Sequence, residues 1–290
     1  MKRRRFLCVA AGAVAFPAFA STPLRWSGIA LGAEARLDLI GPEAVTRPAL
    51  ASALARVREA ERLFSLYDPG SMLSRLNRFG RMDRVPAPFL DLLDRVDAVH
   101  RLTGGLFDPT VQPVWDAAVR DEPGGWAAVG WDRVRRVGDG VRLGAGQQLT
   151  LNGIAQGFAT DRVVEILRAH GLTDAFVEIG EQAAMGSAQR LGLVDPVHGR
   201  VGDVTLRDGA MATSSPGGTP LGSDGHVLHP RGPRAPLWST VSVEAADATL
   251  ADGLSTALCH GDAAVVGAVS GLEAVRRIVL VDADGNVRSV

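Results

Sequence analysis

Apolar residues recur with helical spacing in several stretches of the chain. Residues 47–64 form one such stretch, with Pro48 in the predicted first turn. Its apolar stripe consists of Leu50, Leu54 and Val57. The helices that this spacing predicts cover residues 47–64, 71–78, 87–103, 155–169 and 248–260.

Alternation of apolar and polar residues predicts the strands. Residues 26–40 are expected to be extended, with one face formed by Ala35, Leu37 and Leu39. The other predicted strands cover residues 148–152, 175–179 and 240–244, and residues 278–281 and 286–290 form a closing hairpin. Because strands and helices follow no regular βαβ rhythm, the pattern favours an α+β fold. No linker divides the chain, so one compact unit is expected over residues 21–290, with two lobes as an alternative.

Composition changes this picture only slightly. The chain has 290 residues, 31 basic and 32 acidic, and a formal charge of −1, with 46% hydrophobic and 22% charged residues. These values are typical of a globular protein and exclude a disordered or fibrous one. A balanced charge also argues against a general nucleic-acid binder. Lys2 is the only lysine, so arginine supplies nearly all positive charge.

The first twenty residues have the pattern of a cleavable signal peptide. A basic segment, Lys2 to Arg5, precedes an apolar run from Phe6 to Phe19 that is too short to span a bilayer. The Arg3-Arg4-Arg5 run favours a twin-arginine signal, with a basic Sec signal as the alternative. We therefore expect a periplasmic mature protein without a membrane span.

Cysteine is nearly absent from the predicted mature protein. Cys8 lies in the signal segment, which leaves Cys259 alone. A disulfide within the mature chain and a cysteine-based zinc site are both excluded on this count.

Two loop segments carry candidate ligand-binding residues. Tyr67 lies in a loop before a capped short helix, where its ring could face a planar ligand, or the loop could simply close on the core. In residues 103–111, two adjacent glycines allow close approach of the backbone to a ligand. Asp108 precedes a proline, so its carboxylate either points inward or caps local amides.

Two further segments suit phosphate and metal chemistry. Gly153 and Gly157 flank a turn into a predicted helix, whose N-terminal amides favour phosphate, although the segment matches no established phosphate-binding loop. Asp252 and Thr256 are four residues apart on one predicted helix, so both oxygens share a face. Such hard oxygen donors suit Mg²⁺. The alternative is that Asp252 interacts with the N-terminus of its own helix.

Taken in order, these segments resemble the FAD:protein FMN transferase (ApbE) family. The motifs are S-x-Y-D-x-x-S with R-L-N (65–77), G-x-F-D-P-T-V (105–111), G-I-A-x-G-F-A-x-D-R (153–162) and A-D-x-x-x-T-A (251–257). The similarity covers roughly residues 25–290. It implies a T-fold-related unit that binds FAD and Mg²⁺, transfers FMN to a serine or threonine hydroxyl of an exported flavoprotein, and releases AMP.

The resemblance also implies a role for individual residues. The residues implied to bind FAD are Tyr67, Leu106, Phe107, Asp108, Gly153 and Gln156. Those implied to hold Mg²⁺ are Ala155 through its carbonyl and the side chains of Asp252 and Thr256. His226 would be the general base beside the acceptor hydroxyl, so His226 and Asp252 are the catalytic candidates.

Three positions depart from the family pattern. Gln156 replaces a lysine, His229 replaces an aspartate, and Gly180-Glu181-Gln182 replaces G-G-D. Because glutamine lacks the fixed charge of lysine, an FAD-binding or flavin-carrier protein without transfer activity is the alternative function. A structural accessory in a respiratory maturation pathway is a third.

Overall fold

The computed structural model describes residues 23–221 and 225–290; the predicted signal peptide (residues 1–20) lies outside them. The helices of the described residues are α1 (Glu43–Phe64), α2 (Met72–Phe79), α3 (Ala87–Leu102), α4 (Gln112–Val119), α5 (Ala155–Ala169), α6 (Ala248–Leu258) and α7 (Ala263–Ser270). The strands are β1 (Leu24–Ala30), β2 (Ala33–Ile40), β3 (Arg81–Met82), β4 (Arg135–Val137), β5 (Gly140–Arg142), β6 (Asp174–Ile179), β7 (Glu181–Met185), β8 (Gln189–Asp195), β9 (Gly199–Leu206), β10 (Gly209–Ser214), β11 (Thr240–Ala245), β12 (Val275–Val281) and β13 (Val287–Ser289). None of the helices in these residues combines the length and apolarity needed to cross a bilayer.

Eight strands form one sheet in the order β1-β2-β6-β7-β10-β11-β12-β13. Every neighbouring pair in it is antiparallel. Helices α1 to α5 and a small second sheet are all inserted between β2 and β6. Helices grouped against an antiparallel sheet constitute an α+β fold, as the sequence predicts.

Helix α6 occupies the centre of the helical layer. Nine of its eleven residues are buried, which is typical of a helix with protein on all sides. It packs against α3, α5 and the strands β7, β10 and β11. Asp252, one of these buried residues, is therefore removed from water, and this sets its chemistry.

The opposite face of the sheet carries a second, smaller core. The hairpin β8–β9 lies over it and contributes Leu191, Leu193, Val204 and Leu206. They pack with Phe176 and other apolar residues of the main sheet. This layer stabilises the sheet from behind and leaves the helical side to form the site.

Helix α1 begins earlier than the sequence predicts. It starts at Glu43, so Pro48 lies in its second turn and not its first. The proline removes an amide that would bond to the carbonyl of Ala44, but both residues are exposed and water can satisfy that carbonyl. The buried residues of the helix include Val57, three alanines and, near its end, Leu63 and Phe64, while Leu50 and Leu54 flank the core.

The predicted strand at residues 148–152 is wrong. The Asn77 side chain donates to the Leu149 carbonyl and accepts from its amide, both at 2.8 Å. The amide of Thr150 donates to the Pro109 carbonyl at 2.8 Å. Because a side chain and a loop take these backbone groups, the segment needs no neighbouring strand. Its apolar residues are nevertheless buried, as the alternation suggested.

The other predicted elements are confirmed with small shifts at their ends. The extended segment 26–40 is a hairpin, in which Leu31 and Gly32 form the turn with positive φ. Ala35, Leu37 and Leu39 face the core. The cap of α2 is Ser71, whose hydroxyl accepts from the Ser74 amide at 3.0 Å.

Candidate functional site

The site forms where α5 begins and crosses α6. Gly157, in the first turn of α5, permits this contact, because a Cβ there would lie 2.6 Å from the Ala248 carbonyl carbon and 2.8 Å from the Asp252 Cβ. The Gly157 amide donates to Asp252 Oδ2 at 2.9 Å. Asp252 is thus bound to the N-terminus of α5, where amides and the helix dipole favour an anion.

The alternative interpretation, in which Asp252 serves its own helix, is wrong. The N-terminal amides of α6 bond to other carboxylates: Asp247 accepts from Leu250, and Asp161 accepts from Ala248 and Thr249. Asp252 is therefore available for another role on the face of α6 that meets α5.

Two buried carboxylates meet at this junction. Burial raises the pKa of Asp252 to about 7, the Gly157 amide opposes that rise, and the charge of Asp161 adds to it. Glu181, at the start of β7, is 7% exposed. Burial, reinforced by the charge of Asp252, raises its pKa well above the ordinary value. A nearby cation would offset both effects, because it stabilises the ionised forms.

Thr256 completes a polar group beside Asp252. Its hydroxyl lies 3.3 Å from Ser214 Oγ, which is also 2.8 Å from Ser255 Oγ. Gly153 lies against it, since a Cβ at that position would be 2.7 Å from Thr256 Oγ1. The loop before α5, the face of α6 and the end of β10 therefore meet in one place.

Gln156 lies at the same helix start. Its side chain covers Gly180, where a Cβ would be 2.5 Å from the Gln156 amide carbon. Gly180 has a φ of +82° and forms the turn between β6 and β7. Glycine is needed there for conformation and for space. Gln156 is thus placed next to the strand that begins with Glu181.

The loop that carries Tyr67 is held by serine hydroxyls. Ser65 Oγ accepts from the amides of Tyr67 and Asp68, both at 3.1 Å. The Ser65 carbonyl accepts from the hydroxyls of Ser71 and Ser74 at 2.5 and 3.0 Å. Tyr67 is 64% exposed, so the loop presents its ring outward, as the hypothesis of a stacking residue requires.

Asp108 uses its carboxylate within its own segment. It accepts from the Thr110 amide and hydroxyl at 2.8 and 2.5 Å, and from the Trp131 amide at 3.1 Å. This is the local capping that the sequence left open. Phe107 is buried and Leu106 packs partly against the core. Because the Asp108 carboxylate is already bonded locally, the groups of this segment best placed to contact a ligand are its backbone and the partly exposed Leu106.

His226 lies on the segment that follows β10. Its amide and its Nδ1 both bond to the Pro216 carbonyl, at 3.1 and 3.0 Å. Because a carbonyl only accepts, Nδ1 carries the hydrogen and Nε2 has the lone pair when the ring is neutral. Pro216 is two residues beyond Ser214, so His226 is attached to the strand end that contacts Thr256.

Further along this segment His229 meets His260. Their rings lie edge to face with centroids 5.0 Å apart. Burial, followed by the positive charges of His260, Arg234 and Arg231, lowers the pKa of His229 to about 4. Arg231 donates to the Gly104 carbonyl, which ties this segment to the loop after α3.

The structure therefore brings some of the predicted residues together and leaves others on separate loops. Gly153, Ala155, Gln156, Asp252 and Thr256 meet at the α5–α6 junction. Leu106, Phe107, Asp108 and Tyr67 lie on the loops around α2 and α3, and His226 on the segment after β10.

Sequence reasoning assigned no role to Glu181, Ser214 or His260. Glu181 could have been found from the sequence, because it is the single charged residue of the strand EQAAM and stands at its first position.

Comparison with known proteins identifies the fold first. The chain resembles the apbe protein of Thermotoga maritima, with a TM-score of 0.82 and 24% identity, covering 92% of this chain and 96% of that one. It also resembles the Pseudomonas stutzeri flavinyl transferase ApbE (apo form), with a TM-score of 0.80 and 22% identity, covering 95% and 97%.

The family is shown by sequence. A family model described as ApbE family matches residues 31–277, so the chain belongs to the ApbE family. A curated relative, the FAD:protein FMN transferase of Treponema pallidum (strain Nichols), is 35% identical over an alignment that covers 39% of this chain and 38% of that relative. The match thus spans well under half the length of that relative.

Proposed function

We propose that the protein is a magnesium-dependent FAD:protein FMN transferase. It cleaves the pyrophosphate of FAD, transfers FMN to a serine or threonine hydroxyl of an acceptor flavoprotein and releases AMP. The observation that carries the proposal is the buried Asp252 carboxylate, bound at 2.9 Å to the first turn of α5 and one helical turn from Thr256. Membership in the ApbE family and the name of the Treponema relative support it.

The donors at the junction fit Mg²⁺. A carboxylate (Asp252), a hydroxyl (Thr256) and a main-chain carbonyl (Ala155) are all hard oxygen ligands. The raised pKa of Asp252 is what a buried carboxylate shows before a cation compensates it. Mg²⁺ bound to so few protein groups keeps positions for water or for phosphate oxygens of FAD. When bound, the ion would neutralise the pyrophosphate and the departing AMP.

The protein's own residues supply orientation and a base. Tyr67 stacks on the isoalloxazine ring, and the backbone around Leu106 and Phe107 lines the bound FAD. His226 Nε2 accepts the proton of the acceptor hydroxyl as its oxygen bonds to the phosphorus of the FMN part. The bond between that phosphorus and the bridging oxygen breaks, and the oxygen leaves with AMP.

The proposal also places the protein and its acceptor in the same compartment, the periplasm. The signal pattern of residues 1–20 supports export to the periplasm. The acceptor is then an exported flavoprotein of a redox system. A flavin carrier is the second candidate, because Gln156 supplies no positive charge where the family pattern has lysine.

The test measures AMP release and covalent flavin on a candidate acceptor after incubation with FAD and Mg²⁺. We expect Asp252→Asn to lower AMP release about 100-fold, because a metal ligand is lost. Its free energy of unfolding should stay the same or rise, since the buried carboxylate is removed.

Thr256 provides the matched control. Thr256→Ser keeps the hydroxyl and should retain activity, whereas Thr256→Val keeps the shape and should lose it. FAD binding without AMP release or labelling by the unaltered protein would overturn the transferase proposal in favour of the carrier.

A further inference from the structure

Three arginines form a row across the small second sheet. Its strands lie in the order β3-β5-β4, and Arg81, Arg142 and Arg135 are direct partners in the two ladders. Directly paired residues point to the same face of a sheet. All three are exposed, while Val141 on the other face is fully buried. The outer face of this sheet is therefore a stripe of positive charge.

The stripe continues into a cleft without acidic residues. The cleft has a volume of about 540 Å³, and its lining includes Arg78, Arg81, Arg142, Phe79 and residues 143–148. No aspartate or glutamate is among its lining residues. Phe79 is 61% exposed, and the Arg78 guanidinium lies over its ring at 5.5 Å.

None of these four arginines forms an ion pair with any residue that the structure describes. Arg136, on the inner face of the same sheet, differs from them because it bonds to Asp94. Like charges placed directly opposite each other in a ladder are destabilising. The row is thus a local cost to folding that an external anion would relieve.

The cleft is connected to the candidate site through α2. The N-terminal end of this helix follows the Tyr67 loop, and its C-terminal end, at Phe79, borders the cleft. Eight helical residues span about 12 Å. Asn77 also holds Leu149, four residues before Gly153. A macromolecule that reaches the site can therefore contact the stripe at the same time.

We propose that this arginine face binds an acidic segment of the acceptor protein and so positions its hydroxyl for transfer. The proposal rests on the transferase function above. Guanidinium groups recognise carboxylates through paired hydrogen bonds. Three strands span only about 10 Å, which matches a short peptide segment. Phe79 adds an apolar contact, and the balanced charge of the whole chain disfavours nucleic acid.

The first test uses a fluorescent peptide rich in glutamate and measures its anisotropy with the full protein at low and high salt. Arg81→Gln with Arg142→Gln should weaken binding about tenfold, since two charge-assisted contacts are lost. The matched control is Arg58→Gln with Arg168→Gln, which removes two exposed arginines from α1 and α5. The control variant should bind the glutamate peptide as tightly as the unaltered protein does. A peptide with glutamine in place of glutamate should bind equally to the unaltered protein and to both double variants.

The second measurement separates this proposal from the proposed function. FAD affinity should be equal in the double variant and the unaltered protein, while KM for a protein acceptor rises and kcat changes little. If the unaltered protein releases no AMP with FAD, Mg²⁺ and an acceptor present, the transferase proposal fails, but the peptide binding still tests whether the arginine face binds an acidic segment.

Two outcomes would overturn the acidic-segment proposal. One is equal peptide binding by both double variants. The other is arginine-dependent binding to phosphatidylglycerol vesicles with no binding of the peptide, which would assign the face to a membrane surface. Thermal unfolding of each variant shows whether a loss of binding reflects a loss of fold.

Discussion

The two regions that carry catalytic candidates are built in opposite ways. At the α5–α6 junction, Asp252 sits on a helix buried on nearly all sides and is fixed by the Gly157 amide. His226 lies on an irregular segment between β10 and β11, where its ring bonds to the Pro216 carbonyl. The junction depends on packing between regular elements, whereas the segment is held by polar contacts of loop residues.

This difference separates stability from chemistry. A substitution that adds volume at the junction disturbs a close-packed core, so folding and the proposed metal binding should fail together. A change at His226 affects a half-buried loop residue outside the close-packed core, so chemistry should fail while the fold persists. Three predictions use this contrast, beginning with the largest effect.

Gly157→Ala should destabilise the protein by about 3 kcal/mol, because its methyl group would force the backbones of α5 and α6 apart. AMP release should fall with it. Gly267→Ala in α7 is the matched control, since no atom lies within 4 Å of the added Cβ; helix propensity should stabilise that variant by about 0.8 kcal/mol. Urea unfolding measures both, and equal stabilities would break the account of the junction.

His226→Ala should lower the rate of FMN transfer about 100-fold, the contribution expected of a general base. FAD binding and the melting temperature should remain close to those of the unaltered protein. His198→Ala, which removes an exposed histidine on the far side of the sheet, should change neither. A large fall in melting temperature with His226→Ala would show that the segment is part of the core after all.

Acid should weaken the segment that contains His229. Its pKa is lowered from 6.5 to about 4 in the folded protein, so folding favours the neutral ring. Its contribution to stability is complete above pH 6.5 and is lost as the pH falls toward 4. His260, whose pKa burial also lowers, acts in the same direction.

The two raised carboxyl pKa values, of Asp252 and Glu181, act in the opposite direction, so the test compares variants. The free energy of unfolding of the unaltered protein minus that of His229→Gln, measured by urea titration between pH 7.5 and 4.5, should fall with acidification, whereas the same difference for His198→Gln should stay constant. A constant difference for His229→Gln would show that His229 does not respond to acid.

Helices were the most predictable part of the fold. The stripes on α3, α5 and α6 and the cap at Ser71 are local features, and local features are legible in sequence. The strand expected at residues 148–152 failed because its backbone partner is the side chain of Asn77, 72 residues away. The alternation of apolar and polar residues within a segment carries no information about a hydrogen-bond partner so far away in sequence.

The same limit applies to the site. The four-residue spacing of Asp252 and Thr256 placed them on one helix face, as found. That Asp252 bonds to Gly157, and that Glu181 approaches it, depends on how α5, α6 and β7 cross. His229 stands at a position where the family pattern has a carboxylate, but only the fold shows that its neighbour is a second histidine.

The long insertion between β2 and β6 also sets the order in which the protein can fold. Ala35 pairs with Ile179 across about 140 residues, and Gly157 reaches Asp252 across 95. Closing such loops is slow, because the chain loses conformational entropy before the stabilising contacts have formed. On a growing chain we expect the hairpin β1–β2 to pair with β6 only after β6 has been synthesised, and the α5–α6 junction to form later still. A chain that ends before α6 would contain six of the eight strands of the sheet but neither Asp252 nor Thr256.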